Sequence, residues 1–339
     1  MMPEKRERVL VTGSTGFVGR HLVPQLLASG FDLVLPIRNL ERCPSSLRSN
    51  PRVQIIQAPG WDQTLSESLR GVSGVVHLAG LAHIRNPRGS RLFYDTNVGL
   101  TSTLVDEVKK SRNVSFFIHM SSLAAVTANV NDKTVDDYTP AQPSTDYGRS
   151  KLNAEASVAE LSHLGIAAIS LRPPVIVGSD AKGNWALLLR LAATGIPLPF
   201  RSVHNRRSLV SVRTVTEAIK HLCCTNPSSA TSGSYCLTDP DPLSLRSILS
   251  ELRAGFGMAP RLLPVPTPIL ANLGNALVGR HVTASLLGDL HVDGSRFGSV
   301  FGFQSSIGLR TAIQESAAEY QHSYRSNRMG GHTSHEASI

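Results

Sequence analysis

Val9-Leu10-Val11-Thr12-Gly13-Ser14-Thr15-Gly16-Phe17-Val18-Gly19-Arg20-His21-Leu22 decides the fold. A β-branched apolar run leads into a glycine turn, and the turn opens a helix. That context raises a glycine pattern above chance. The first glycine permits a tight turn, and the second lets backbone N–H groups approach a pyrophosphate. The third lets the helix pack against its strand, with the anion at the positive helix end. The spacing here is G-x-x-G-x-x-G.

Outward from this stretch, strands and helices alternate. Strands are expected at Val9–Thr12, Phe31–Ile37, Val53–Ala58, Gly74–Leu78, Val114–Met120 and Ile166–Leu171. Helices are expected at Phe17–Ser29, about Leu92–Ser111 and Tyr147–Leu164, the first ending at Gly30 and the last at Gly165. The pattern predicts an α/β fold, a Rossmann-type doubly wound parallel sheet with helices on both faces and ligands at the carboxyl ends of the strands. After Pro173-Pro174 proline and glycine become frequent. Residues 1–172 then form the dinucleotide-binding domain. Residues 173–322 form mostly a smaller substrate-binding lobe, built from Gly178–Pro199 and Leu237 to about Arg310. Within that range 204–236 returns to the first domain, and the polar tail 323–339 is expected to be disordered.

Composition narrows the class. Hydrophobic residues at 41% and charged residues at 17% describe a globular chain with ample core. The formal charge of +9 comes without lysine runs or interleaved aromatics, so it favours anionic small molecules over nucleic acid. Cys43, Cys223, Cys224 and Cys236 form no C-x-x-C pair and read as buried thiols. No metal site is expected, because His332 and His335 sit in the polar tail. With no long apolar run, a cytoplasmic protein without membrane contact is expected. The proline-broken stretch Leu262–Gly279 reads as a lid or helix of the lobe.

Tyr147 and Lys151 stand one helical turn apart on one face. An ammonium beside the phenol, together with a cationic ring, would lower the phenol's pKa from its usual value of about 10. Ser121-Ser122 closes the fifth strand, where a hydroxyl could hold a substrate oxygen against that phenol; Ser122 is favoured over Ser121. Each feature alone has an ordinary structural reading. The glycine turn, strand-end serine and Tyr-x-x-x-Lys in this order point jointly to redox chemistry.

On these motifs the chain resembles the extended short-chain dehydrogenase/reductases of the NAD-dependent epimerase/dehydratase family, from Val9 to about Ala318. VVHLAG, HMSS, DYGRSKLNAE, LRPPVIVG and NRRSLVSV carry the match further. KGNWALLLRLAATGIPLPF, RRSLV and RLLPVP are similar to reductases of UDP-4-keto-6-deoxy-N-acetylglucosamine, which make UDP-N-acetylquinovosamine for O-antigen, and to UDP-glucose 4-epimerase-like proteins. The resemblance implies Ser122, Tyr147 and Lys151 as the catalytic trio. It implies that Gly13, Gly16, Phe17, Val18, Gly19, Ala79, Gly80, Tyr147 and Lys151 hold the dinucleotide, with Asp62 at the adenine. Asn97 would be a buried amide bracing neighbouring strands. Asn184 and Arg207 match contacts to a UDP-sugar, Leu198–Phe200 would border the uracil, and a homodimer is implied.

Three departures refine that picture. Leu123-Ala124 stands where 4,6-dehydratases carry Asp-Glu, so dehydration is disfavoured. The tyrosine that many relatives carry shortly after the serine motif is replaced by SSLAAVTA, which leaves Ser121 against Ser122 open. The second strand ends in Pro36-Ile37-Arg38-Asn39 with no carboxylate for a ribose hydroxyl, and Arg38 leans the cofactor reading, NAD(P), toward NADP. The reading is an NAD(P)-dependent reductase acting at C4 of a UDP-linked 4-keto-6-deoxy-amino sugar. A UDP-hexose 4-epimerase is the alternative, and a non-catalytic dinucleotide sensor a remote one.

Overall fold

Residues 7–58, 64–82, 89–127 and 134–330 are described by the structure, a computed structural model. In chain order the first elements are β1 (Arg8–Thr12), α1 (Phe17–Ala28), β2 (Asp32–Ile37), α2 (Ser45–Arg48), β3 (Val53–Gln57), α3 (Leu65–Ser68) and β4 (Gly74–His77). Next come α4 (Gly89–Phe93), a π-helical turn (Tyr94–Gly99), α5 (Leu100–Lys110), β5 (Phe116–Met120), α6 (Asp146–Ala159) and β6 (Ala167–Arg172). The second half adds β7 (Val175–Val177), α7 (Asn184–Ala193), β8 (Leu209–Ser211), α8 (Val212–Thr225), β9 (Gly233–Cys236) and α9 (Leu245–Gly255). It ends with α10 (Thr267–Leu277), α11 (Arg280–Leu287), α12 (Ser295–Phe301) and α13 (Leu309–Gly330).

Seven strands pair in the order β3-β2-β1-β4-β5-β6-β9, every pair parallel. The α/β, Rossmann-type sheet expected from the sequence is present. Its strands are buried on both faces, and successive residues serve opposite cores. Val9 and Val11 pack with Leu22, Leu26 and Ile219 on the α1/α8 side. Leu10, between them, packs with Leu104, Val105 and Val158 on the α5/α6 side. Each such side chain, withdrawn completely from water, stabilises the fold by about 1.5–3 kcal/mol. The strand order reverses between β1 and β4, so the crevice opens where β1 hands over to the glycine turn.

A separate core holds the lobe: Trp185, Leu189, Leu198, Ile248, Leu252 and Ile313 pack together. Residues 204–236 supply β8, α8 and β9; the last joins the main sheet beside β6. Helix α12 does not join the lobe core. Its Phe297 and Phe301 meet the Tyr235 ring of β9 edge-on, with ring centroids 6.1 and 5.1 Å away, and pack with the main core.

Three helices differ from expectation, one of them Tyr147–Leu164, which is α-helical to Ala159 and ends in the 3-10 turn Glu160–Leu164. The run about Leu92–Ser111 is interrupted by the π-helical turn, which carries Asn97. Helix α13 runs to Gly330, past Ser323 where disorder was expected. Leu309, Ile313 and Ala317 anchor its first turns. The sequence onward to Met329 holds neither Pro nor Gly, so propagation continues once the helix is nucleated. Cys43, Cys223 and Cys236 are buried, but Cys224 is exposed on the outer side of α8.

Candidate active site

Gly13 takes φ of +70°, a conformation costly for a residue with a Cβ. An added Cβ would also lie 2.7 Å from the Ala79 nitrogen, so the turn presses directly on the chain leaving β4. The Gly16 N–H donates to the Gly13 carbonyl at 2.9 Å, closing the turn. Gly16 caps α1 without a side chain. The first helical N–H groups, those of Phe17, Val18 and Gly19, have no intrahelical acceptor and stand at the positive end of the helix. Ser14 Oγ is buried there with no hydrogen-bond partner. This donor set fits a dinucleotide pyrophosphate. Arg38 is exposed at the end of β2, and Asp62 lies outside the described residues.

A polar thread supports the turn from below. The Ala79 N–H donates to Thr12 Oγ1 at 3.2 Å, and Thr12 Oγ1 lies 2.7 Å from His77 Nδ1. His77 Nε2 is 3.0 Å from Thr101 Oγ1, whose hydroxyl donates to the Asn97 carbonyl at 2.6 Å. With Thr101 donating onward, Nε2 carries the imidazole proton and Nδ1 accepts from Thr12. Burial, then the nearby Lys151 charge, pulls the His77 pKa down to about 3, so the ring is neutral. His119, stacked on it at 5.8 Å, is likewise held low by burial. The Asn97 side chain accepts from Leu81 N–H at 2.8 Å and donates to Ser150 Oγ at 3.0 Å. It therefore braces the loop after β4 against α6, rather than one strand against another.

Thr145 caps α6 by accepting from the Gly148 N–H at 3.0 Å. Tyr147 then sits in the first turn and Lys151 one turn on. Lys151 is buried; its Nζ donates to the Met120 carbonyl at the end of β5 at 2.7 Å. Burial lowers its pKa to about 8, with Glu155 opposing. Ser122 accepts from the Ala124 N–H at 3.2 Å, which orders the 3-10 turn Leu123–Ala125, and its hydroxyl lies beside the Tyr147 phenol. The Phe93 ring flanks the phenol at 5.6 Å. Burial raises the Tyr147 pKa and the Ser122 hydroxyl opposes it. In the chain alone burial sets the direction; the lowering expected from the sequence needs the cationic ring of a bound dinucleotide as well as the Lys151 ammonium.

The two serines part company at the strand end. Ser122 turns to Tyr147, whereas Ser121 donates to Glu155. Glu155 also pairs with Arg172 at 2.6 Å and accepts from Ser234 at 3.1 Å, all in the interior. Sequence reasoning missed this cluster, although Glu155 follows Lys151 by four residues on the same helix face. It also missed the His77 thread. Phe93 carried no sequence signal.

In the lobe, Asn184 and Arg207 line one cavity with Trp185, Ser285 and Leu286. Asn184 Nδ2 donates to Ser285 Oγ at 2.7 Å, and Arg207 Nη1 donates to the Gly288 carbonyl at 2.9 Å. Burial lowers the Arg207 pKa to about 10, with Asp289 opposing, so the guanidinium stays charged at neutral pH. Leu198 does not line this cavity. Its backbone bridges to Leu262 and its apolar side chain fills the lobe core.

These features have counterparts among known proteins. The model of the NAD dependent epimerase/dehydratase family matches residues 9–235. A UDP-glucose 4-epimerase of Vibrio cholerae is 28% identical over 92% of this chain and 95% of its own length. A 4-hydroxy-2-methyl-3-oxo-4-farnesyl-3,4-dihydroquinoline-1-oxide ketoreductase of Stigmatella aurantiaca is 26% identical, covering 80% of each chain. Among solved structures, the UDP-glucuronic acid 4-epimerase of Bacillus cereus in complex with UDP-glucuronic acid and NAD superposes with a TM-score of 0.71. It is 18% identical, over 94% of this chain and 99% of that one. With the glycine turn, the parallel sheet and the Tyr147/Lys151 helix in place, the chain belongs to the NAD-dependent epimerase/dehydratase family.

Proposed function

We propose that this protein is an NAD(P)-dependent oxidoreductase that reduces the C4 keto group of a UDP-linked 4-keto-6-deoxy-amino sugar, as in O-antigen synthesis. The observation that carries this reading is the buried Tyr147 phenol set beside the Ser122 hydroxyl at the carboxyl end of β5, with Lys151 on the same helix face. Bound NAD(P) would supply the hydride to C4. Tyr147 donates its phenolic proton to the C4 oxygen, so the carbonyl becomes a hydroxyl. Ser122 holds that oxygen against the phenol. Lys151 places a positive charge under the strand end, where it favours the phenolate left behind. Arg207 and Asn184, which the family resemblance matches to contacts with a UDP-sugar, stand together in the lobe and bring a cation and an amide to this reading. Arg38, exposed at the end of β2, supports a preference for the 2′-phosphate of NADP. The turn after Ser122 carries Leu123 and Ala124, neither of which can move a proton, and this supports redox chemistry without dehydration.

The extent of the Vibrio cholerae relative favours a second reading, 4-epimerisation, in which the same trio first takes the C4 hydroxyl proton and later returns it. A coupled assay separates the two. UDP-GlcNAc, a 4,6-dehydratase and NADPH or NADH are combined, and the product sugar is identified by mass and NMR. Stoichiometric loss of reduced cofactor with formation of UDP-linked 6-deoxy-HexNAc supports the reductase. Conversion of UDP-GlcNAc to UDP-GalNAc without cofactor consumption would replace it with the epimerase.

A further inference from the structure

Helix α10 turns its apolar side outward. Leu270 enters the lobe core, and Gly274 abuts α11, where an added Cβ would lie 2.8 Å from Thr283 Oγ1. These contacts fix the inner stripe. The outer stripe, Ile269, Leu273 and Leu277, is 56%, 54% and 73% exposed, and Leu263 and Val278 extend it at 50% and 49%. A helix on a protein surface ordinarily turns polar residues to water, so a contiguous aliphatic ridge marks a contact surface.

The charge around the ridge identifies what it meets. Residues 181–216 and 252–288 contain no Asp or Glu and carry nine lysine and arginine residues, of which only Arg207 and Arg253 are buried. The two stretches adjoin: Leu198 bridges Leu262, and Thr267 Oγ1 donates to the Ser202 carbonyl at 3.3 Å. Exposed arginines rim the ridge. The Arg201 N–H donates to the Leu263 carbonyl at 3.0 Å, Arg261 precedes Leu262, and Arg280 opens α11 just after Val278.

A second copy is a poor occupant, since a two-fold contact would set each arginine rim against its own image. The ridge carries no aromatic ring, so it offers nucleic acid bases no stacking platform. A protruding aliphatic ridge ringed by arginines suits a surface that is apolar inside and anionic outside. We propose that α10 and its rim of Arg201, Arg261 and Arg280 dock this protein on an anionic lipid surface. The helix lies in the headgroup boundary, because its 11 residues are too few to span a bilayer. Neighbouring α11 contributes Ser285 and Leu286 to the cavity of Asn184 and Arg207, so docking sets that cavity beside the membrane. The inference rests on exposure and charge alone and holds whichever reaction the Tyr147 site performs.

The test is co-sedimentation of the full chain with phosphatidylcholine vesicles, with and without phosphatidylglycerol. Binding is expected only with the anionic vesicles, and it weakens as salt rises. Replacing Arg201, Arg261 and Arg280 by Gln lowers the partition about fivefold each. Leu273→Ser together with Leu277→Ser lowers it about tenfold or more. All five side chains are exposed, so the variants keep the wild-type melting temperature. Equal binding to neutral vesicles, no binding to either, or a triple-arginine variant that sediments like wild type would overturn the proposal. So would a soluble oligomer that the two serine substitutions dissolve, since the ridge would then join copies of this chain.

Discussion

Replacing Gly148 by Ala tests whether the Tyr147–Ser122 alignment governs turnover. Gly148 follows Tyr147 on α6 and faces the 3-10 turn that begins at Ser122. A Cβ there would overlap the Ala124 carbonyl oxygen, with Ala124 C at 3.1 Å and Pro143 Cβ at 3.0 Å. Backbone lies on one side and a proline ring on the other, so no flexible side chain can yield. The helix and the turn must separate, by about 1 Å, and a misplacement of that size costs about a hundredfold in rate. Overpacking at the same point destabilises the fold by about 1–3 kcal/mol. Gly165→Ala is the matched control. That glycine has φ of +79° with no atom within 4 Å of an added Cβ, so it loses stability without moving the site. The assay is steady-state oxidation of NAD(P)H on the 4-keto sugar, paired with thermal melts of both variants. Gly148→Ala should lose turnover far beyond its loss of stability, whereas Gly165→Ala keeps wild-type turnover. Wild-type turnover in Gly148→Ala would refute the alignment argument.

Three further outcomes follow from the surroundings of the site. His77 has a folded pKa of about 3 against 6.5 unfolded, so the unfolded chain binds the extra proton between those values. Stability should therefore fall as pH drops below about 6.5, by up to about 1.4 kcal/mol per pH unit, and His77→Asn should flatten that slope in urea midpoints taken from pH 7 to 5. Glu155→Gln leaves Arg172 buried without its partner and should cost about 3–5 kcal/mol by urea unfolding. It also removes the charge that raises the Lys151 pKa, so the alkaline limb of the rate profile should move to lower pH. Arg38→Asp should weaken NADPH binding about tenfold or more relative to NADH by fluorescence titration, through loss of a charge-assisted bond.

The fold was legible because its evidence is local. The glycine turn, the β-branched runs and the Tyr-x-x-x-Lys spacing each lie within a few residues, and the parallel sheet follows from their alternation. Long-range pairing was not legible in the same way. Ser121 and Ser122 are neighbours whose side chains point to opposite sides, and only the position of Glu155 shows which one turns inward. The thread from Ala79 through Thr12, His77 and Thr101 to Asn97 joins three separate segments. No periodicity announces it. Leu198, expected to border a uracil, has its side chain in the lobe core, where it packs with Trp185 and Ile248. The outward apolar stripe of α10 was visible as a run of aliphatic residues. Its exposure depends on α11 covering the other side.

The most direct measurement is the turnover of Tyr147→Phe on the 4-keto sugar, set beside its affinity for the dinucleotide. Phenylalanine keeps the ring against Phe93 and removes only the hydroxyl beside Ser122. Turnover should fall by about a hundredfold or more while the dinucleotide still binds. Turnover at the wild-type rate with this ring in place would contradict the assignment of the proton to Tyr147.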